Sequence, residues 1–196
     1  MAEGVGDEPL PPSQGLTQPS PDKPGAYTWC KAPRYGGRIM ETGALARQMV
    51  AGHPLIRDLV ASTGGSVLAR LLARLLELAI VLPEMERWAA ALKPGEAWCH
   101  DDHSREHPLE DGRSVGLVEA ARGALGHWLS VRHGRIESYQ IIAPTTWNFS
   151  PRDQHETPGA LEQALVGVEA EDGEDTPIAV QHVVRSFDPC MVCTVH

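Results

Sequence analysis

The last nine residues, Asp188-Pro189-Cys190-Met191-Val192-Cys193-Thr194-Val195-His196, constrain this chain more than any other stretch. Cysteines at i and i+3 can turn both sulfurs toward one ion, and a histidine comes three residues later. Thiolates are soft ligands that select nickel, zinc, copper or iron over magnesium or calcium. Two of them make half a site, because a closed four-coordinate site needs two more donors. Taken alone, a Cys-x-x-Cys has three ordinary explanations: zinc, redox chemistry or no function. The fold has to deliver this segment to a place where other donors can meet it.

A chain of 196 residues is ordinarily one or two domains, and a 42% hydrophobic content supports a core. A net charge of −9 offers no basic footprint for nucleic acid. No apolar run reaches the length of a membrane span; the longest, residues 75–82, contains Glu77 and ends at Pro83. Met1-Ala2-Glu3-Gly4 does not resemble a secretory signal. Cys-x-x-Cys without such a signal favours metal or redox use over a disulfide framework, and a cytoplasmic location is expected. Residues 1–24 are rich in Pro, Gly, Ser and acidic side chains. They have too little apolar surface to offset the entropy of ordering and are expected to be a flexible lead-in.

The remainder, residues 25–196, reads as α+β and helix-rich with a small antiparallel sheet. Residues 43–51 suit a short helix. Gly64-Gly65-Ser66 reads as a break and then an N-cap. Beyond it Leu68, Leu71, Leu72, Leu75, Leu76 and Ala79 recur at helical spacing, which predicts a core-facing amphipathic helix, resuming after Pro83 to about Leu92. His133-Gly134 between residues 129–132 and 135–142 reads as a two-residue hairpin turn. Pro144-Thr145-Thr146-Trp147 ends the second strand, leaving Thr145 as a strand-end hydroxyl. Residues 160–166 suit a helix stopped by Gly167, residues 169–175 an acidic surface turn. Residues 178–187 suit a buried helix, with Val180, Val183, Val184 and Phe187 on one face, delivering Asp188 and the cysteines.

Several residues carry two readings. Cys99, His100, Asp101, Asp102, His103 and His107 look like a metal site, but they fall in a loop-like stretch where chance matches are common. Cys30 reads as a small buried hydrophobe. Lys31 and Arg34 read as flanks of a solvated loop. Arg122, among small residues, reads as a salt-bridged helix end.

Four stretches decide between these readings. They are Tyr27-Thr28-Trp29-Cys30-Lys31-Ala32-Pro33-Arg34-Tyr35; Glu119-Ala120-Ala121-Arg122-Gly123-Ala124-Leu125-Gly126-His127-Trp128; Tyr139-Gln140-Ile141-Ile142-Ala143-Pro144-Thr145-Thr146-Trp147-Asn148 running into Ser150-Pro151-Arg152-Asp153; and the terminal Asp188-Pro189-Cys190-x-x-Cys193-x-x-His196. In this order they resemble the C-terminal portion of the large subunit of nickel-iron hydrogenases. The family's other Cys-x-x-Cys, near the N-terminus of a full large subunit, is not among them. Ala121 before Arg122, the run Val183-Val184-Arg185-Ser186-Phe187 and the stop at His196 look most like the hydrogen-sensing or cyanobacterial-type uptake branch.

The resemblance implies heterolytic cleavage of H2 at a nickel–iron centre whose iron carries carbon monoxide and cyanide. It implies Cys190 as a terminal nickel ligand and Cys193 as a bridging one, and it places residues 27–35 close to the centre. Arg122 would lie over the open face of the nickel, oriented by Asp188, with Cys190 or Arg122 taking the proton. Thr145 would hydrogen-bond a diatomic iron ligand, and Leu125 and Ala143 would line its dry pocket. The Ile141 carbonyl and His196 would hold a magnesium ion. Implied partners are an iron–sulfur small subunit, a polypeptide supplying the N-terminal Cys-x-x-Cys and, for a sensing protein, a kinase. The competing reading is a non-catalytic fragment or scaffold whose Cys-x-x-Cys binds zinc or nothing.

Overall fold

Three helices come first, and small residues set how closely they pack. They are α1 (Ala44–Ala51), α2 (Pro54–Thr63) and α3 (Val67–Ala91). The computed structural model of the protein describes residues 10–14, 20–97, 110–169, 173 and 175–194. Helix α1 stops at Gly52, which takes the left-handed φ of 78° and donates its amide back to Met49. Helix α2 begins with Pro54, whose missing N–H costs nothing at the first helical position. Helix α3 opens on Ser66, whose Oγ accepts the Ala69 amide at 3.2 Å, the expected N-cap. Ile56, Ala69 and Ala73 are fully enclosed, with Ala44 and Leu45 beside them and Leu72 and Leu76 packed against the cluster.

Helix α3 departs from its expected form twice. It crosses Pro83 unbroken, because the turn that loses a backbone hydrogen bond there lies in an exposed stretch where water can serve the Ala79 carbonyl. Its core-facing side is Ala69, Arg70 and Ala73, whereas Leu68, Leu71, Leu75 and Leu78 are exposed. Periodicity reveals that a helix has an apolar stripe; it does not reveal which neighbour covers it. Helix α2 itself carried no expectation.

Arg47 fastens these helices to the segment around residue 120. Its Nε and Nη2 donate to Glu77 on α3, each at 2.7 Å. Its Nη1 reaches Glu119 at 3.0 Å and the Ala120 carbonyl at 2.9 Å. Burial pushes the Glu77 carboxyl up, but the Arg47 hydrogen bonds and charge outweigh it, so its pKa lies below the ordinary carboxylate value. The unfolded chain titrates this group near the usual ~4.3, and the folded chain lower. The resulting stability is complete above the unfolded value and is lost as pH falls through the folded one. Melting temperatures between about pH 3 and 7 should therefore drop on the acid side, and Glu77→Gln should make that drop shallower. An equally steep acid limb in the variant would assign the loss to other carboxylates.

The sheet is antiparallel in the order β1 (Gly112–Ala120), β2 (Gly123–Arg132), β3 (Arg135–Ile142). Pairing of Ala120 with Gly123 leaves Ala121-Arg122 as a two-residue turn. Arg122 is thus a hairpin tip and not a helix end; the alternation of small and apolar residues belonged to strands. The second turn is His133-Gly134, with φ of 54° and 69°, the two left-handed residues that such a turn needs. Strand β1 is exposed along nearly its whole length, while β3 buries Gln140 and Ile142.

After Ala143 the chain turns at once into α4 (Pro144–Asn148), so Thr145 stands in a helix and not at a strand end. Then come α5 (Ala160–Leu165), α6 (Ile178–Ser186) and α7 (Met191–Thr194). Helix α6 buries Val183 with Phe187 at its end, as its stripe predicts, and Phe187 meets Phe149 edge-on at 6.5 Å. Among the described residues no helix is long and apolar enough to cross a membrane. The Cys99–His107 cluster, residues 170–172 and 174 of the acidic turn, and His196 lie outside the described residues.

Candidate metal centre

Helix α6 ends because Pro189 bars the residue before it from continuing the helix. Asp188 donates its amide to the Arg185 carbonyl at 3.0 Å and takes a left-handed φ of 51°, which Asp tolerates better than most residues. The chain then turns: the Cys193 amide donates to the Cys190 carbonyl at 3.0 Å. The Cys190 amide donates to Thr145 Oγ1 at 3.1 Å, so the buried Thr145 of α4 holds the start of the cysteine turn.

Both terminal thiols are half-buried, and Cys30 joins them, with its Sγ 3.8 Å from the Cys193 carbonyl. Burial pushes the Cys193 thiol up, and the neighbouring Cys190 and Cys30 push it further, opposed by the Arg122 guanidinium. Burial also raises Cys30, partly offset by Thr28. The spacing of Cys30 does not reveal this, whereas the resemblance places its stretch close to the centre, and the fold puts its sulfur against Cys193.

Arg122, at the hairpin tip, lies with Nε 3.4 Å from Asp188 Oδ2, both side chains about half exposed. A pair this wet contributes little stability; what it provides is a guanidinium held beside the thiols. The tip can approach because residue 123 is glycine: at φ 129°, a Cβ there would stand 2.6 Å from Thr42 Oγ1 and 2.7 Å from the Gly43 nitrogen.

The other expected site residues cluster at one end of the sheet. Register pairs Gly126 with Ile142, which brings half-buried Leu125 and Ala143 to that end. The Ile141 carbonyl accepts Lys31 Nζ at 3.2 Å, so it already serves a cationic partner.

Arg34 is not a solvated flank. Its side chain is 6% exposed and lies 3.5 Å from Asp153 Oδ2, donating also to the carbonyls of Pro33 (2.9 Å) and Pro151 (3.0 Å) and to Ser150 Oγ (3.3 Å). It locks residues 27–35 to residues 150–153. Tyr27 assists: its hydroxyl accepts the Arg152 amide at 2.9 Å and donates to Glu162.

Two adjacent half-buried thiols are a soft donor set suited to nickel, iron, copper or zinc. Among the described residues no three His, Cys, Asp or Glu side chains converge to hold a metal ion. The pair fits a shared centre to which donors from elsewhere contribute.

Residues 3–196 match the family described as nickel-dependent hydrogenase. The periplasmic [NiFeSe] hydrogenase large subunit of Desulfomicrobium baculatum is 34% identical over 94% of this chain and 38% of its own length. The uptake hydrogenase large subunit of Rhodobacter capsulatus is 36% identical over 89% of this chain and 32% of its own. A solved Dm. baculatum [NiFeSe]-hydrogenase structure superposes with a TM-score of 0.85 at 34% identity, covering 99% of this chain and 42% of that one. The nickel-iron-selenium hydrogenase of Desulfovibrio vulgaris Hildenborough gives 0.84 at 35% identity, covering 95% and 42%. The chain therefore spans between about a third and two fifths of the length of the relatives it matches.

Proposed function

The chain belongs to the nickel-dependent hydrogenase family, and from that premise we propose that it is the C-terminal portion of a large subunit that oxidises H2 at a nickel–iron centre. The observation that carries this reading is the meeting of Cys190 and Cys193 with the Arg122–Asp188 pair. Cys190 and Cys193 would hold the nickel–iron centre through their thiolates. When bound, the centre supplies heterolytic cleavage of H2. The Asp188 carboxylate lies 3.4 Å from Arg122 Nε and would keep the guanidinium beside the thiols, while the Cys190 sulfur would take the proton. Thr145 Oγ1 accepts the Cys190 amide, and its own hydroxyl hydrogen would serve a diatomic ligand of the centre. Leu125 and Ala143 keep water away. The Ile141 carbonyl and the His196 imidazole would hold a magnesium ion only once Lys31 Nζ leaves that carbonyl.

A two-thiol contribution requires a second polypeptide segment carrying the other cysteines, and an iron–sulfur small subunit to take the electrons. The outward leucines of α3 support the first partner. A face bearing Leu68, Leu71, Leu75 and Leu78, each between 46% and 62% exposed, is apolar surface of the kind that another protein covers. Leu71→Gln with Leu75→Gln should leave the melting temperature of the free chain nearly unchanged, within about 0.5 kcal/mol of stability. The same pair should abolish co-purification of the complementing polypeptide. Retained co-purification would move the contact off α3.

Relatives named as uptake hydrogenases favour an uptake role. Ala121 and the 183–187 run favour a sensing role, with a kinase as partner. Turnover separates them: rapid H2 oxidation for uptake, slow turnover with a bound kinase for sensing. The primary test is nickel and iron content with infrared spectroscopy of the carbonyl and cyanide region, on the chain with whatever co-purifies from its native host. About one nickel and one iron with diatomic bands supports the reading. Zinc or no metal without such bands overturns it in favour of an unloaded fragment.

A further inference from the structure

The Arg122–Asp188 pair joins a hairpin tip to a helix end, and both are anchored on the same three residues, Glu41-Thr42-Gly43. On the hairpin side the anchorage is steric: Gly123 lies against Thr42 and Gly43, and a Cβ at Gly43 would stand 3.3 Å from the Arg122 carbonyl. On the helix side it runs through Arg70 of α3. This side chain, 6% exposed, forks onto Glu41 Oε1 and Oε2, both at 2.8 Å, and donates to Ser186 Oγ at 3.3 Å. Its guanidinium carbon stands 3.7 Å from the centre of the Phe187 ring, directly before Asp188. Arg74, one turn on, donates to the Ser186 carbonyl. Thr42 also exchanges hydrogen bonds with Asn148 at 2.9 and 3.0 Å, on the helix whose Thr145 holds Cys190.

We propose that Arg70 and Glu41 are positioning residues that set the Asp188 carboxylate against Arg122 at the site assigned above, an inference that rests on that reading for its catalytic consequence. A buried arginine held by a carboxylate fork, an aromatic face and a hydroxyl has one geometry, and it fixes the final turn of α6 relative to the hairpin tip. The pair itself is half exposed, and a small cleft bounded by Glu41, Arg70, Arg122 and Asp188 leaves the Arg122 head room to move away. Packing around the pair therefore does not enforce the contact; the Arg70 clamp does. Lysine in its place keeps the charge and loses the fork.

The test uses Arg70→Lys and Glu41→Gln in the full chain, with nitrogen-15 arginine labelling. The Arg122 guanidinium resonance, identified by its loss in Arg122→Lys, should shift in both variants to the position it takes in Asp188→Asn, where the ion pair is gone. The Arg47 Nε–H resonance, held by Glu77 at 2.7 Å, should stay in place and so report an intact fold. If one variant also loses the Arg47 signal, it has unfolded and the other decides. An unmoved Arg122 resonance in a folded variant overturns the proposal. In the complex purified from the native host, Arg70→Lys should lower kcat for H2 about tenfold or more with KM and nickel content unchanged. Wild-type complex without nickel would sink the proposed function while leaving the arginine resonances to decide the positioning role.

Discussion

Arg34→Met is expected to cost about 3–5 kcal/mol of stability, enough to threaten the native state of a typical domain. Arg34 and Asp153 are both nearly enclosed, at 6% and 11% side-chain exposure. Removing the cation leaves Asp153 a buried charge without its counterion and leaves Ser150 Oγ and the Pro33 and Pro151 carbonyls short of a donor. Burial pushes the Asp153 carboxyl up, yet the Thr157 and His155 amides and the Arg34 charge hold it below the ordinary range. Those two amides, at 3.0 and 2.9 Å, remain in the variant, so the loss should lie toward the lower end of that range. Arg34→Lys should recover part of it, since one ammonium can replace the charge but not serve four acceptors in a plane. Urea denaturation of the three proteins measures both differences. A loss below about 1 kcal/mol for Arg34→Met would place Arg34 among surface ion pairs and dissolve the lock between residues 27–35 and 150–153.

What the sequence disclosed divides along the line between local and long-range determinants. The Ser66 cap, the His133-Gly134 turn and the buried stripe of α6 were legible because each depends on a few neighbouring residues. The hairpin tip at Ala121-Arg122 was not, since small residues there are compatible with a helix end until β1 pairs with β2. The outward leucines of α3 misled for a related reason: Ala69 and Ala73 win the inner face because α1 and α2 approach closely, which hydrophobicity alone does not encode. Arg34 read as solvated because charge usually means exposure, and its enclosure depends on Asp153 far along the chain. The site shows the same division. The Cys190-x-x-Cys193 motif was visible as a motif; Arg122 and Asp188 became site candidates only through family resemblance, and the fold brings them within 3.4 Å. Cys30, by itself a lone buried sulfur and set near the centre only by resemblance of its stretch, borders the pair.

Serine at either terminal cysteine should separate metal binding from folding. Oxygen replaces sulfur at a half-buried position, so Cys190→Ser and Cys193→Ser should each melt within about 1 kcal/mol of wild type. A serine hydroxyl is a hard donor that stays protonated at neutral pH, where a soft metal needs a thiolate. Residues that merely support a ligand already cost 10–100-fold when removed, so loss of a ligand should lower metal affinity or H2 oxidation by more than about a hundredfold. Nickel in the purified complex should fall to background in both variants. Cys30→Ser is the decisive contrast. Its side chain meets the Cys193 carbonyl at 3.8 Å with Thr28 beside it, and a serine hydroxyl can donate to that carbonyl as well. Nickel should therefore be retained in Cys30→Ser, as measured by elemental analysis beside the two terminal variants. If Cys30→Ser loses nickel as completely as Cys193→Ser, then three thiols of this chain act together and the assignment of two is wrong. If all three keep their metal content, the terminal pair is not a ligand set, and the chain is a fragment that carries the motif without using it.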